Sequence, residues 1–349
     1  MKQYYLQGAR SIAILAVLLT IGVFGFISCQ KNKTDATSEL KTGEKKEALK
    51  PSETDRLFSV ANVYYTPDGK RAEAWFFETP LVFEFSADGP NTKANFDVLK
   101  NAKENKLPVN VKLIANAENL IDKITPATEE QVAIFKAEVA KRETAEMVSL
   151  PDPKQPSNSL VGVVPSTTAL NNIFNTVRSQ CCKLPGVLIY GPRIPFQFVA
   201  DGCYARAHKA RQLIESYYGY TSYKVFNYAC DYSGTLSVNA TLWGNNCCVH
   251  WWYHVASYVI VQVGAYQYGY VIDPSMFSGP VSIPTWVAAQ KNLSCGYGGA
   301  AQGQVYYTSN AYAPSVINAP CTLVPYADNT YTAANATCTA YCPKQGCSY

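Results

Sequence analysis

The chain has 349 residues, a length that suits two domains better than one, and 48% of them are hydrophobic, enough for sizeable cores. The formal net charge of +4 is small for that length and carries no nucleic-acid signature. The charge is unevenly spread: residues 30–159 hold 19 Lys/Arg and 21 Asp/Glu, residues 160–349 only 9 and 5. Two compositions therefore meet near residue 160.

Lys2 and Arg10 flank the start of an uninterrupted apolar run over 11–27. A positive segment followed by an apolar one is read as a secretory signal, residues 1–28, and is excluded from the fold. Residues 26–29 (FISC) resemble a bacterial lipobox, which makes Cys29 the candidate lipid-anchored residue; a retained membrane anchor is the other reading, because the run is close to spanning length. Residues 29–56 are polar and charged and are read as a disordered tether.

Structure is expected from residue 57. Strands are predicted over 57–65, 71–78 and 81–85, with a turn at 66–70, then a helix over 92–103 and a strand over 108–114. Capping chemistry at Thr125 with Pro126 predicts a helix from 125 to about 146. This α+β unit, 57–146, has no cysteine and no catalytic constellation. Residues 147–159 contain three prolines and read as an extended, cleavable linker. That order suggests a zymogen, with the first unit inhibitory; the alternative is two ordinary domains on a passive linker.

The remaining residues, 160–349, hold eleven of the 12 cysteines: Cys181, Cys182, Cys203, Cys230, Cys247, Cys248, Cys295, Cys321, Cys338, Cys342 and Cys347. Ten can pair and leave one free, which fits disulfides in an oxidising compartment plus one reactive thiol. Three histidines and no tandem C-x-x-C pairs argue against structural zinc. A helix is predicted over 166–178, a short strand within 185–190, and a helix over 204–218 burying Ala207, Ala210, Leu213, Ile214 and Tyr217 and ending at Gly219. Strands follow at 223–228, at 248–263 and, after a turn at 264–269, at 268–273.

Cys203 stands directly after Gly202 at a helix start, where unpaired amides and the macrodipole favour a thiolate. Acyl transfer by a thiol also needs an imidazole to move the proton and a group to fix its tautomer. His208 points about 140° away from Cys203 on the same helix and is a poor base. His250 and His254, four apart on one predicted strand, share a face, and His254 lies deeper in the apolar run. Asp273 ends the next strand, level with His254. A helix bearing cysteine, followed by antiparallel strands bearing histidine and aspartate, is the papain-like order of parts. On the residues alone, Cys203 as a disulfide cysteine, His254 as a core histidine and Asp273 as a turn residue stay open.

Residues 201–208 (DGCYARAH), 247–256 (CCVHWWYHVA) and 271–280 (VIDPSMFSGP) together resemble bacterial protein-glutaminase, a secreted protein-deamidating enzyme. The likeness continues in weaker form from about 160 to the C-terminus, including 304–307 (QVYY), and the preceding region is similar to that family's pro-region. The resemblance implies an α+β, papain- or transglutaminase-like catalytic domain with Cys203 as nucleophile, His254 as general base and acid and Asp273 as orienter. It implies hydrolysis of the side-chain amide of protein-bound glutamine through a thioester, an oxyanion held by backbone donors including the Cys203 amide, and neither metal nor cofactor. Its mature start would fall near Leu160. His250 and Trp252 stand where the family pattern has smaller residues; with Trp251 and Tyr253 they are the tentative substrate-binding set. The expected partners are proteins or peptides with exposed glutamine, an activating protease and the chain's own pro-region, in a monomer exported from the cell. Transglutaminase or peptidase activity on the same triad, and a disulfide-rich binding module in which Cys203 would be oxidised, are the competing readings.

Overall fold

Alternating apolar residues and a helix laid across them build the first half of the described chain. The computed structural model describes residues 55–115, 117, 119–141, 146–157, 160–229, 234–299, 301–307, 317–318, 321–322 and 331–347. The expected signal, Cys29 and almost all of the tether lie outside them. Five antiparallel strands, β1 (Asp55–Tyr65), β2 (Arg71–Phe76), β3 (Val82–Ser86), β4 (Pro108–Leu113) and β5 (Ile121–Pro126), form a sheet in the order β3-β2-β1-β4-β5. Helix α1 (Thr92–Asn105) turns Leu99 and Ala102 onto Phe58, Val60, Phe83, Val109 and Val111.

The strand β5 replaces the start of the helix expected from 125. Ile121 and Ile124 are buried against α1, and the Ile124 amide donates to the Asn95 side chain at 2.9 Å. The helix α2 (Glu129–Lys141) starts later, at a reciprocal cap: the Gln131 amide donates to Thr128 Oγ1 and the Thr128 amide to Gln131 Oε1.

The short β6 (Glu146–Met147) then joins the second sheet. Residues 149–156 of the linker are mostly exposed, but both ends are fastened: the Val148 amide to Val305 and the Ser157 amide to Ala265. The second half adds α3 (Thr167–Ser179), capped by Ser166, and α4 (Cys203–Leu213). Strands β7 (Tyr223–Ala229), β8 (Leu236–Ala240), β9 (Cys247–Trp251), β10 (Tyr253–Val263) and β11 (Tyr266–Ile272) follow. After them come α5 (Ile283–Ala289), β12 (Ala301–Tyr307), a minimal pair β13 (Ile317–Asn318) and β14 (Cys321–Thr322), and α6 (Tyr331–Tyr341). The main sheet runs β11-β10-β7-β12-β6; β8 and β9 form a separate ribbon. The architecture is α+β on antiparallel sheets.

Several expectations need correction. Residues 185–190 form no strand: Val187 is 83% exposed, with no sheet edge beside it to pair with. The strand expected over 248–263 breaks at Trp252 into β9 and β10, which belong to different sheets. The helix from Cys203 ends in a π turn at Ile214–Tyr218, which rotates Tyr217 out to 59% exposure, and Gly219 closes it at φ +72°. Gly269 lies inside β11, not in a turn, because Tyr258 of β10 occupies the space where a side chain would stand. Three thiols, not one, are free among the described residues: Cys181, Cys203 and Cys338. Disulfides join Cys182 to Cys342, Cys247 to Cys347 and Cys248 to Cys295.

The composition break near 160 is not a packing break. Residues Lys50–Tyr349 form one compact unit, and the first sheet's core takes in Phe198, Ala200 and Tyr341. The Gly269 position gives a direct check on β10–β11 packing. Gly269→Ala should cost about 1–3 kcal/mol in urea denaturation, since the new methyl meets a Tyr258 ring that is itself buried; an unchanged midpoint would mean the register is wrong.

Candidate active site

The turn before α4 is over-determined. Gly202 sits at φ +80°, and a Cβ there would come within 2.8 Å of the Tyr341 ring, so both backbone and space require glycine. Asp201 accepts from the Gly202 amide at 2.6 Å and from the Tyr341 hydroxyl at 2.8 Å. Arg206, one turn into the helix, reaches back to the carbonyls of Phe198 and Asp201, both at 2.6 Å. The C-terminal segment backs this loop: the Val199 amide donates to Gly346 O, and the Gly346 amide to Gln197 O. Its Cys182–Cys342 and Cys247–Cys347 bridges fix it in place.

Cys203 follows as the first residue of α4, a free thiol 1% exposed. The Val255 backbone, next in sequence to His254, is among the groups that favour ionisation of this thiol. The expected thiolate is not what this state holds. Burial pushes the Cys203 thiol up to about 12, and the charges of Asp201 and Asp273 add to the rise; Arg206 and the Val255 backbone oppose it. The helix terminus cannot compensate for the absence of water.

His254 Nε2 meets Asp273 Oδ2 at 2.8 Å, with both side chains buried. Asp273 also accepts from the Trp286 indole at 2.9 Å, the Ser275 amide at 3.2 Å and the Ser275 hydroxyl. Burial alone would raise this carboxyl. The His254 charge and the donors from His254, Ser275 and Trp286 overcome that and hold it down at about 2. Burial lowers His254, so the pair in this covered state is an ionised Asp273 and a neutral imidazole donating through Nε2. His254 Nδ1 has no hydrogen-bond partner and is free to accept a proton.

The aromatic residues divide. Trp251 stacks on His254 at 4.3 Å and 10°, and Trp286 covers it from 5.4 Å at 32°. Trp252 is committed to the first sheet: its amide donates to Pro80 O at 3.0 Å and its indole to Phe76 O and Thr79 O, while its ring stacks on Trp75. Tyr253 packs edge-on against Trp252. His250 does not share a face with His254. It is on β9, bonded to Ser237 Oγ at 3.0 Å, and lines a cleft of about 560 Å³ with Glu73, Leu81 and Glu84 of the first sheet. Cys203 does not line that cleft; it is buried in one core that also takes in Trp75, Phe77 and Val82. His208 contacts Lys224 at 3.1 Å through Nδ1. No group of three or more His, Cys, Asp and Glu side chains among the described residues could hold a metal ion.

Sequence reasoning missed Ser275 and Trp286. Ser275 was within reach, two residues after Asp273 in a turn; Trp286 was not, because α5 returns to Asp273 only through the tertiary fold.

The family described as Glutaminase matches residues 170–290. A crystal structure of pro-protein-glutaminase is 29% identical, with 84% of this chain and 93% of that one covered and a TM-score of 0.64. A mutant of pro-protein-glutaminase gives 27%, 84%, 94% and 0.65. Protein-glutaminase from Chryseobacterium proteolyticum is 32% identical over 54% of this chain and 94% of that one, with a TM-score of 0.43. No curated protein sequence matches.

The Asp273 geometry makes a pH prediction. A carboxyl held at about 2 in the fold, against about 3.9 when unfolded, adds stability above the unfolded value that is lost as pH falls through the folded one. The wild-type chain should therefore lose about 2 kcal/mol more between pH 5 and pH 2 than Asp273→Asn does in urea unfolding. Equal losses would show that Asp273 is not held down.

Proposed function

Since the chain belongs to the protein-glutaminase family, we propose that it hydrolyses the side-chain amide of protein-bound glutamine, through Cys203, His254 and Asp273, and that it is made as a zymogen covered by its first sheet. The observation that carries the site assignment is a buried His254–Asp273 pair with an open Nδ1, next in sequence to Val255, which shares one core with the free, buried Cys203 thiol. The competing binding-module reading has Cys203 oxidised, whereas here it is a free thiol.

His254 Nδ1 takes the Cys203 proton while the sulfur attacks the glutamine Cδ. Backbone amides, that of Cys203 among them, donate to the developing oxyanion. The imidazole then returns its proton to the departing nitrogen, ammonia leaves, and a thioester remains. Water, deprotonated by the same nitrogen, opens the thioester to glutamate and restores the thiol. Asp273 keeps the imidazole in the Nε2–H tautomer throughout.

Latency follows from burial. Trp75, Phe77 and Pro80 hold Trp252, and Cys203 is buried in the same core, so no substrate reaches the sulfur and the sulfur does not ionise. Activation needs a protease at the exposed stretch 149–156 and then loss of the first sheet, which the Trp252 contacts still hold after the cut. With the first sheet gone, Trp252 offers substrate an amide, an indole N–H and a flat ring, and His250, Trp251 and Tyr253 stand around it. The Cys182–Cys342, Cys247–Cys347 and Cys248–Cys295 disulfides support an oxidising compartment as its site of action, with residues 1–28 as its export signal, Cys29 as its lipid-anchor candidate and a monomer as its working form.

Ammonia release from a blocked glutamine peptide should be near background in the intact chain and rise at least tenfold after limited proteolysis. Cys203→Ala should abolish it, and no peptide cleavage or amine incorporation should accompany it. Equal release before and after proteolysis would remove the zymogen reading; activity surviving in Cys203→Ala would remove the nucleophile.

A further inference from the structure

Trp251 is fully buried on the last residue of β9, and it touches both halves of the proposed machinery. Its indole N–H donates to the carbonyls of Val199 at 3.1 Å and Ala200 at 3.3 Å. Those residues open the loop that ends at Cys203. Its ring lies parallel on the His254 imidazole at 4.3 Å. Its backbone bridges to Leu81 of the first sheet.

We infer that Trp251 is a positioning residue of the reaction proposed above: its indole couples the loop carrying Cys203 to the imidazole of His254. The reasoning is geometric. Cys203 and His254 come from different elements, a helix start and a strand start, and the strand start is preceded by a break at Trp252. The Ser257 hydroxyl of β10 ties that strand to Ala207 O of α4 at 2.9 Å, and the Trp251 side chain adds a tie from the imidazole itself to the loop before Cys203. One rigid bicycle does both, hydrogen bonding the loop at one edge and facing the imidazole with its plane. Only tryptophan combines a donor with a flat face of this reach; tyrosine carries its donor on the ring axis, and phenylalanine carries none.

The stack also bears on charge. When His254 takes the thiol proton it becomes an imidazolium between two indole faces, Trp251 and Trp286, and an aromatic face attracts a cation. Trp251 thus favours the proton-bearing form of the base as well as its place. This rests on the Cys203–His254 assignment, and the experiment separates the two.

The test compares wild type with Trp251→Phe, which keeps a face and removes the donor, using full chains after limited proteolysis. The inference expects kcat on a blocked glutamine peptide to fall about tenfold or more, KM to stay within twofold, and the acidic limb of the kcat profile to shift. An unchanged kcat and limb in a folded Trp251→Phe chain would overturn it. If the variant does not fold, the full wild-type chain decides by NMR: the ring protons of His254 should lie upfield of those of His208 and His250, and the absence of that displacement overturns the inference. If wild type releases no ammonia, the reaction assignment fails instead. The coupling is then read from iodoacetamide alkylation of Cys203, expected to be about tenfold slower in Trp251→Phe, with equal rates overturning it.

Discussion

A thiol kept out of water does not ionise, and the rest of this structure is arranged around that constraint. Cys203 has the helix terminus, the neighbouring Arg206 and the Val255 amide in its favour, yet burial pushes it up to about 12. A shift of one pKa unit is worth about 1.4 kcal/mol, so covering the sulfur outweighs what a helix terminus supplies, typically 0.3–1 kcal/mol. Latency needs no distortion of the site. The His254–Asp273 pair is already formed in the buried state, and on the proposed mechanism water and substrate are what activation adds.

Why the site survives in that dry state is a matter of hydrogen-bond accounting. An ionised carboxylate costs several kcal/mol to bury unless its lone pairs are filled. Asp273 fills them from His254, Trp286 and Ser275, four donors from three side chains and one amide. The loop before Cys203 is treated likewise, its carbonyls taken by Arg206 and Trp251 and its Asp201 carboxylate by Gly202 and Tyr341. Tyr341 and the C-terminal segment are in turn held by disulfides. The cysteine-rich composition of the second half is thus spent on the turn that presents one reduced cysteine.

Much of this was legible in the sequence where the signal is local. The helix after Cys203, its stop at Gly219, the helix over 166–178 and the strand that runs up to Asp273 follow from hydrophobic spacing and from turn and cap chemistry. What the sequence hid is non-local. β5 reads as a helix start because Thr125 and Pro126 mimic a cap, and only the pairing with β4 and the packing on α1 make it a strand. The run through Trp251 and Trp252 reads as one strand because both residues favour it; the first sheet takes Trp252 out of register by claiming its amide for Pro80. That break is what parts His250 from His254. Cysteine parity counted one free thiol, whereas buried Cys181 and Cys338 stay reduced because no partner faces them across the fold.

The most direct measurement is the pH dependence of Cys203 alkylation by iodoacetamide, read by peptide mass mapping so that Cys181 and Cys338 are scored separately, on the full chain before and after proteolysis of the linker. The intact chain should react slowly, with an apparent ionisation near 12. After removal of the first sheet, the ionisation should fall to roughly 4–7, where thiolates paired with imidazole ordinarily lie. The same profile in both states would contradict the account, since burial beneath the first sheet would then not be what holds the thiol protonated.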